Sequence, residues 1–271
     1  MSAARVLRLA GWLAMAAGVA PAIPALPGTS GAGAQTLERQ MEEVGTGSVR
    51  FAFATREGVE ICAEGIRRVH TRVRWNGTGS DGDGCDCAPG PLEVEVGVRE
   101  GRPVRVEVVQ RDSPRGGGAV ELGEVDPRAA VDFLLGLARG DGGSISGDLV
   151  MPAALADVPD VWQDLIGIAG DRQVHERTRK NALFWVGQEA ADAATAGLAD
   201  IAFAEDEDQG VRDAAVFALS QQSEDRGVPA LMTLAREADE AKTRRTAMFW
   251  LAQSRDPRVL EFFREVLLAR R

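Results

Sequence analysis

Recognisable catalytic motifs are scarce in this sequence, and its acid-base repertoire narrows to carboxylates and lysines. The chain contains two histidines, three cysteines and no tyrosine. We predict His70 on the polar face of a strand and His175 in a loop before a helix, and neither lies beside a recognisable nucleophile motif. The glycines at 116–118 lack the lysine and the helix start of a phosphate-binding loop. The sequence therefore predicts no catalytic residue, no cofactor and no bound metal.

The cysteine usage suits an oxidising compartment. Cys62 follows a predicted strand, and Cys87 opens a turn before the next strand. A Cys62–Cys87 disulfide would close a loop of about 24 residues and stabilise the fold by roughly 3 kcal/mol in the chain-entropy treatment. Pairing of Cys62 with Cys85, a zinc site that adds His70, and free or intermolecular thiols are the alternatives.

Two acidic runs could attract cations. The run Ser80–Asp86 places three carboxylates in a glycine-rich loop. It departs from the calcium-binding EF-hand pattern, because Cys85 stands at a ligand position and Leu92 replaces the final glutamate, so we expect a solvated turn. Glu205–Asp208 is predicted to be a charged loop between helices, with a role in partner choice. Asn76–Thr78 matches a glycosylation acceptor.

The N-terminus has the features of a secretory leader. Arg5 and Arg8 precede an apolar run at Leu9–Val19, and Ala32–Ala34 has the small-x-small pattern of a signal-peptidase site. The run is shorter than the roughly 20 apolar residues that a membrane anchor needs. We therefore predict a signal peptide over residues 1–34 and a periplasmic or secreted protein.

The charge of the chain excludes two classes of partner. Loss of the whole predicted leader removes two arginines and no acidic residue, so the formal charge changes from −10 to −12. Cleavage near Ala22 is an alternative to cleavage after residue 34. Proteins approach nucleic acids and anionic membranes with clusters of Lys and Arg. We predict neither nucleic-acid binding nor membrane insertion after cleavage. With 45% hydrophobic residues the chain has the composition of a folded protein.

The first half of the mature chain has the apolar period of β-strands. Val49, Phe51 and Phe53 alternate with other residues, and Val-rich runs on either side of Glu100–Gly101 predict a hairpin. We predict a small, mostly antiparallel β domain at residues 35–118, whose N-terminal stretch, 36–44, is a short helix or a tail.

The second half changes to a helical period. Residues 119–146 are predicted as a connecting helix, which starts at Asp126–Pro127, and a Gly/Ser loop. In residues 147–271, three nearly identical sequence segments end at Gln188, Gln221 and Gln253, which are 33 and then 32 residues apart. Such a period predicts a stacked array of about four helical pairs. The predicted fold class is therefore α+β: a small sheet domain followed by an all-α solenoid.

Matched positions within the repeats are predicted to pack. Leu165 and Ile168 recur as leucine or isoleucine in the next two units, and the last unit continues the pattern with Leu260, Phe263 and Val266. Small and aliphatic residues fill the space between layers, and one alanine per unit brings two backbones close: Ala182, Ala215 and Ala247. The aromatic residues are interpreted as core, with the two tryptophans closer to the surface: Phe184, Trp185, Phe217, Phe249 and Trp250. Three arginines at one repeat position are predicted to form charge-assisted bonds between layers: Arg179, Arg212 and Arg244.

The repeated sequence segment resembles HEAT repeats of the short type, also called phycobilisome-lyase HEAT-like repeats. The resemblance covers residues 147–271 and implies a curved solenoid that binds other proteins. The whole arrangement is similar to exported bacterial HEAT-repeat proteins. Deoxyhypusine hydroxylase, a relative with a di-iron site, needs several His-Glu pairs, whereas His175-Glu176 is the only such pair in this sequence. Phycobilin lyases hold a tetrapyrrole on such solenoids, but no residue here can be matched to their working site.

We therefore predict an exported scaffold that binds another, unidentified protein on the concave surface of the solenoid and has no catalytic activity. The alternative is a hydrolase or ligand-binding protein whose site lies in the β domain or at its junction with the solenoid. That alternative requires a deep pocket with convergent polar groups.

Overall fold

The computed structural model describes residues 30–64, 68–73, 86–109, 119–140, 143–188 and 191–268. Within them the chain has the predicted α+β fold, in which a mixed sheet region precedes a helical repeat region. The cleavage near Ala22, the glycines at 116–118, Asn76–Thr78 and the Ser80–Cys85 part of the acidic run lie outside the described residues. The leader and the glycosylation acceptor therefore stay predictions.

The sheet region begins with a helix and continues with strands in two sheets. Its elements are α1 (Ser30–Val44), β1 (Gly47–Phe53), β2 (Val59–Glu64), β3 (Arg68–Val73), β4 (Asp86–Ala88), β5 (Leu92–Arg99), β6 (Arg102–Val109) and β7 (Ala119–Glu124). The main sheet has the strand order β6-β5-β1-β7, and the smaller sheet has the order β3-β2-β4. The predicted hairpin is confirmed, since β5 and β6 pair antiparallel across Glu100 and Gly101. Both turn residues have positive φ, 54° and 73°.

The main sheet is mostly antiparallel, as predicted, but it continues beyond the predicted end at residue 118 and includes one parallel pair of strands. β7 follows that point and pairs in parallel with β1. Its strand pattern is weak, because Glu121 and Glu124 flank Gly123, whose φ is 70°. Such a strand suits the edge of a sheet, where one side needs no partner strand.

The apolar face of the main sheet packs on two helices. Val49, Phe51 and Phe53 of β1 are fully buried. Phe51 contacts Phe133 of α2 (Pro127–Arg139) edge to face, with ring centroids 5.8 Å apart. α1 also packs against α2 and β1, so the stretch 36–44 is a docked helix.

Helix α1 includes residues 30–34 of the predicted leader. At Gly33 a side chain would bring its Cβ within 2.6 Å of the Cβ of Ala129, so the two helices cross at this glycine. Cleavage after residue 34 would therefore remove the first turn of α1 together with this crossing.

The smaller sheet carries the predicted disulfide. Cys62 of β2 and Cys87 of β4 lie directly opposite each other in the antiparallel pair, and their sulfur atoms are bonded. Cys62 is fully buried. Cys85 lies outside the described residues. The bond therefore joins two neighbouring strands of one sheet.

The repeat region consists of paired antiparallel helices. After a 3-10 turn at Gly143–Ile145 come α3 (Val150–Ala154), α4 (Val161–Gly170), α5 (Glu176–Val186), α6 (Asp192–Phe203), α7 (Gln209–Gln221), α8 (Glu224–Glu237), α9 (Ala241–Gln253) and α10 (Pro257–Leu268). Helices α4, α6 and α8 pack against α5, α7 and α9 respectively. Successive pairs stack, and each pair is one layer of the array. Helices α4, α6 and α8 form one row across the layers, and α5, α7 and α9 form the other row.

The predicted core positions of the repeats are confirmed. Leu165, Ile168 and their equivalents in the next two units are buried, and so are the three spacer alanines at 182, 215 and 247. A Cβ at Gly187 would come within 2.9 Å of the Ala218 backbone, so α5 and α7 approach closely there. Helices α5, α7 and α9 pack on one another more closely than α4, α6 and α8 do. In a curved array the more closely spaced row of helices, here α5, α7 and α9, is the inner row.

Of the predicted core positions of the last helix, Phe263 and Val266 pack half-buried against the core, whereas the placement of Leu260 is wrong. Leu260 is 60% exposed, whereas Val259 and Phe262 are buried. Helix α10 packs on α8 at one side only, so it buries a narrower stripe than the helices before it. The sequence period cannot fix the rotation of a helix with a neighbour on one side.

Backbone hydrogen bonds join the sheet region to the repeats. The N–H of Arg56 donates to the carbonyl of Leu155 at 3.0 Å, and that of Asp157 donates to the carbonyl of Ala54 at 2.9 Å. These bonds flank an isolated bridge between Thr55 and Ala156. The sheet region therefore covers the first layer of the array.

Candidate functional site

Aromatic residues form a partly exposed stripe across α5, α7 and α9. The aromatic stripe consists of Phe184, Trp185, Phe217, Phe249 and Trp250. Phe184 is 42% exposed and Phe249 is 56% exposed, which corrects their interpretation as core. Phe217 and both tryptophans are half-buried. The equivalent position on each helix points away from the core because the neighbouring leucine, valine and alanine positions already fill the space between the layers.

Ring contacts join the aromatic stripe between α7 and α9 and pair neighbouring rings within α5 and within α9. Phe217 of α7 lies against Trp250 of α9, with centroids 5.0 Å apart. Phe249 contacts the same tryptophan at 5.1 Å, and Phe184 contacts Trp185 at 5.4 Å. Edge-to-face and tilted pairs of this kind hold each ring in place. The stripe is therefore a preorganised apolar surface.

A cleft of about 350 Å³ adjoins the aromatic stripe. The stripe cleft is bounded by the C-terminal ends of α7 and α9 and by the start of α8, and Trp250 belongs to both features. Its polar lining includes the repeated glutamines Gln221 and Gln253, and Gln222. Amide side chains beside an exposed ring offer hydrogen bonds to a peptide backbone.

Four basic residues lie on α5 and α9 or directly after α9. Lys180 pairs with Glu176 at 2.6 Å, and Lys242 pairs with Asp213 at 3.2 Å. The other two cations, Arg245 and Arg255, are exposed. Carboxylates balance both lysines, so the net positive charge of this set comes from the two exposed arginines, although the whole chain has a formal charge of −10.

The three repeat arginines bind helix ends. Arg212 of α7 donates to the carbonyls of Ala204, Glu205 and Glu207 at 2.7–3.0 Å. Arg244 of α9 donates to two carbonyls at the end of α8. The last carbonyls of a helix have no donor within the helix and lie at its negative end. Each arginine thus satisfies the C-terminus of the helix before it, within one pair.

Arg179 alone of these three also joins two layers. Its Nε donates to the carbonyl of Ala169 at 2.7 Å, and its Nη2 donates to the carboxylate of Glu207, in the α6–α7 loop. Both side chains are buried. The predicted bonds between layers thus have a counterpart at Arg179, whereas the described bonds of Arg212 and Arg244 lie within their own pairs.

The acidic loop at 205–208 is divided between core and surface. Glu207 is buried, while Glu205, Asp206 and Asp208 are exposed. A hydrogen bond with Asp239 in the next inter-helix loop, together with the nearby charges of Asp239, Glu240 and Asp206, raises the pKa of Glu205 above its ordinary value. The two loops therefore share a proton-dependent contact.

A buried charge network lies on the second face of the main sheet, where the sequence predicted only polar alternation. Arg50 is 2% exposed and donates to Glu95 at 2.7 Å. Glu93 and Glu121 lie 3.7 and 3.9 Å from the same guanidinium. Burial alone would raise the pKa of Glu95, but hydrogen bonds and charge from Arg50, helped by Ser48 and Arg105, lower it. The alternation of Arg50 with Val49 and Phe51 places it on this face, but no sequence signal pairs it with Glu95.

The two histidines have no catalytic arrangement in the described residues. The Nδ1 atom of His175 accepts the Arg177 backbone N–H at 3.2 Å and so caps α5. His70 pairs with Cys62 in the backbone register of β2 and β3, and its side chain lies outside the description. Within the described residues, no cluster of three or more His, Cys, Asp or Glu is placed to hold a metal ion.

A second cleft, the junction cleft, lies where the sheet region meets the repeats. It encloses about 580 Å³ between the start of β6, the end of α2, the 3-10 turn and the start of α5. The lining residues are Arg102, Ala138, Arg139, Gly140, Gly143, Ser146, Gly147, Gln173, His175, Arg177 and Thr178. The junction is therefore concave and lined with convergent polar groups.

Residues 195–270 match the family model described as HEAT repeats. The match begins in α6 and runs through α10, so it includes two of the three nearly identical segments. This part of the chain is therefore similar to HEAT repeats, and such repeats generally mediate protein–protein interactions. A comparison with curated proteins finds no match. None of the helices in the described residues combines the length and apolar character of a membrane-spanning segment.

Proposed function

We propose that this protein is an exported protein-binding module that holds its partner on the aromatic stripe and has no catalytic activity of its own. The observation that carries the proposal is the exposure of Phe184 and Phe249 at one repeat position, which half-buried Phe217 occupies in the unit between them. Exposed apolar patches on soluble proteins mark sites where a partner protein, a membrane or a ligand binds. The concave surface, formed by the inner row of helices, is also the usual binding surface of solenoids.

The energetics favour aromatic anchors at this position. Burying one such ring contributes roughly 1.5–3 kcal/mol, and interface hot spots are rich in aromatic residues and arginine. The ring contacts of Trp250 with Phe217 and Phe249 fix its orientation before binding. A partner would therefore meet a surface that loses little side-chain freedom on association.

The exposed arginines indicate the chemistry of the partner. Arg245 and Arg255 are exposed beside the stripe, and the stripe cleft offers the amides of Gln221 and Gln253. We infer a partner segment with apolar side chains next to acidic residues, whose backbone lies along the glutamines. Electrostatic attraction of this kind mainly raises the association rate and falls with salt.

Export is supported by the leader-like N-terminus and by the Cys62–Cys87 disulfide. The direct measurement is the N-terminal sequence of the protein recovered from the envelope fraction of a bacterial host. We expect it to begin near residue 35. A protein that keeps Met1 and stays in the cytoplasm would contradict export without affecting the binding proposal.

The binding proposal is tested by capture from the envelope fraction, with the full mature chain as bait. The variant carries Phe184→Ser and Phe249→Ser, both at exposed positions that leave the core intact. Its matched control is Leu267→Ser, because Leu267 is 69% exposed on α10, away from the stripe. We expect a specific protein that the wild type and the control retain and that the stripe variant loses.

Two results would sink this proposal. One is capture of the same protein by the stripe variant at wild-type yield. The other is the absence of any specifically retained protein, with wild-type bait shown to be folded by circular dichroism.

A further inference from the structure

We propose that the junction cleft binds a small ligand that carries anionic oxygen groups, carboxylate or phosphate. Its lining includes Arg102, Arg139, Arg177 and His175, and the described lining residues include no carboxylate. This is the reverse of the chain as a whole, which has 41 acidic and 31 basic residues. A concave surface with charges of one sign concentrates ligands of the opposite sign.

Arg102 lines the cleft from the β5–β6 hairpin. It is the first residue of β6, directly after the turn residues Glu100 and Gly101. The turn is anchored to the sheet region, since the Gly101 N–H donates to the Gly45 carbonyl at 2.7 Å and the Glu100 N–H to Thr46 at 3.2 Å. The guanidinium of Arg102 is therefore presented from a fixed backbone.

Arg177 lines the cleft from α5 and is held by its neighbours. Its Nη2 donates to Asp148 at 2.9 Å, and its side chain lies against Gly147. Asn181 on the next turn of α5 donates to the Gly147 carbonyl at 3.0 Å, which ties this loop to the helix. A guanidinium has five N–H donors, so the bond to Asp148 leaves others for a ligand. This part of the cleft is thus largely formed before binding.

Arg139 and His175 complete the donor set. Arg139 makes one 3.3 Å bond to the carbonyl of Asp164, an uncharged partner. The Nδ1 of His175 accepts the Arg177 N–H, so neutral His175 carries its proton on Nε2, which is a donor. Arginine forks match the planar carboxylate and the phosphate oxygens, and these charge-assisted bonds are stronger than neutral ones.

The size of the cleft sets the size of the ligand. Its volume of about 580 Å³ falls within the range of roughly 300–1,000 Å³ that small-molecule sites occupy. The lining comes from the sheet region and from the repeats, so a bound ligand would bridge the two parts of the chain. This inference does not depend on the aromatic stripe, which lies on different residues.

The test is isothermal titration calorimetry of the full mature chain at low ionic strength. The probes are citrate for carboxylates, pyrophosphate for phosphates, and glucose as an uncharged reference. The variants are Arg102→Gln and Arg139→Gln, and the matched control is Arg99→Gln. Arg99 is an exposed arginine of the same hairpin that does not line the cleft.

We expect citrate or pyrophosphate to bind with one site per chain and glucose not to bind. Each cleft variant should weaken that binding by about tenfold, the loss of one charge-assisted bond, and the Arg99 control should not. The probe that binds more tightly identifies the ligand as carboxylate or phosphate. No heat from either anion, or equal binding by wild type and both cleft variants, overturns the inference.

Discussion

The bonds of Arg179 lead to a prediction that separates its role from that of the other repeat arginines. Arg179→Ala leaves Glu207 buried without its cationic partner and leaves the Ala169 carbonyl without a donor. Breaking a buried pair at one end costs about 3–5 kcal/mol, and an unsatisfied buried carbonyl alone costs about 1–3 kcal/mol. The two costs overlap, because Glu207 keeps the N–H of Asp208 at 2.6 Å. We expect a loss of about 3–4 kcal/mol in the free energy of unfolding.

The assay is urea denaturation followed by far-UV circular dichroism. Arg244→Ala is the matched comparison, because Arg244 binds two carbonyls but no carboxylate among the described residues. It should cost only about 1–2 kcal/mol. The double variant Arg179→Ala with Glu207→Ala should recover part of the loss, since it removes the stranded charge.

The reasoning is refuted if Arg179→Ala destabilises no more than Arg244→Ala. It is also refuted if the double variant is as unstable as the sum of its single variants. Either result would mean that the buried pair contributes no coupling between the layers.

Three further predictions concern stability. Phe249→Ala should change the free energy of unfolding by less than about 1 kcal/mol, whereas Leu251→Ala, at a fully buried position two residues on, should cost about 2–5 kcal/mol in urea denaturation. Removal of the disulfide by Cys62→Ala with Cys87→Ala should cost roughly 2–4 kcal/mol in the same assay. The lowered pKa of Glu95 means that its contribution to stability is present above the pKa it has in the unfolded chain, and is lost as the pH falls through the lower folded value. Glu95→Gln should therefore show a smaller loss of stability between pH 7 and about pH 3, measured by urea midpoints.

Each of these predictions has a control. An equal cost for the phenylalanine and the leucine would show that the exposed ring supports the core after all. Reduction of the wild-type disulfide with dithiothreitol should reproduce the double cysteine variant and leave that variant itself unchanged. For the acid-sensitive carboxylate, Glu107→Gln on the neighbouring strand should keep the wild-type dependence on pH, since Glu107 is half exposed.

The repeats were predictable because their packing is periodic. Leu165, Ala182 and their equivalents recur at fixed spacing, and each occupies the same place in successive layers. The same period shows that Phe184 and Phe249 are equivalent but not whether they are buried. Burial depends on which side of the helix the neighbouring layer covers, and an apolar ring is compatible with core and interface alike.

The functional surfaces were less predictable because they depend on distant parts of the chain. Arg102 and Arg177 belong to the sheet region and to the repeats, and no local pattern places them in one cleft. Arg50 and Glu95 are likewise 45 residues apart and meet through strand pairing. The weak strand β7 was missed for a related reason, since its edge position requires little of its own sequence.

The backbone bonds between Ala54–Arg56 and Leu155–Asp157 make the two ends of the helical array different. One end of the array is joined to the sheet region, while α10 at the other end packs mainly on α8. In solenoids, stability comes from nearest-neighbour interfaces. Amide exchange with deuterated solvent should therefore be slowest where the two regions join and should quicken toward the last helix, as if the molecule opened from a single end.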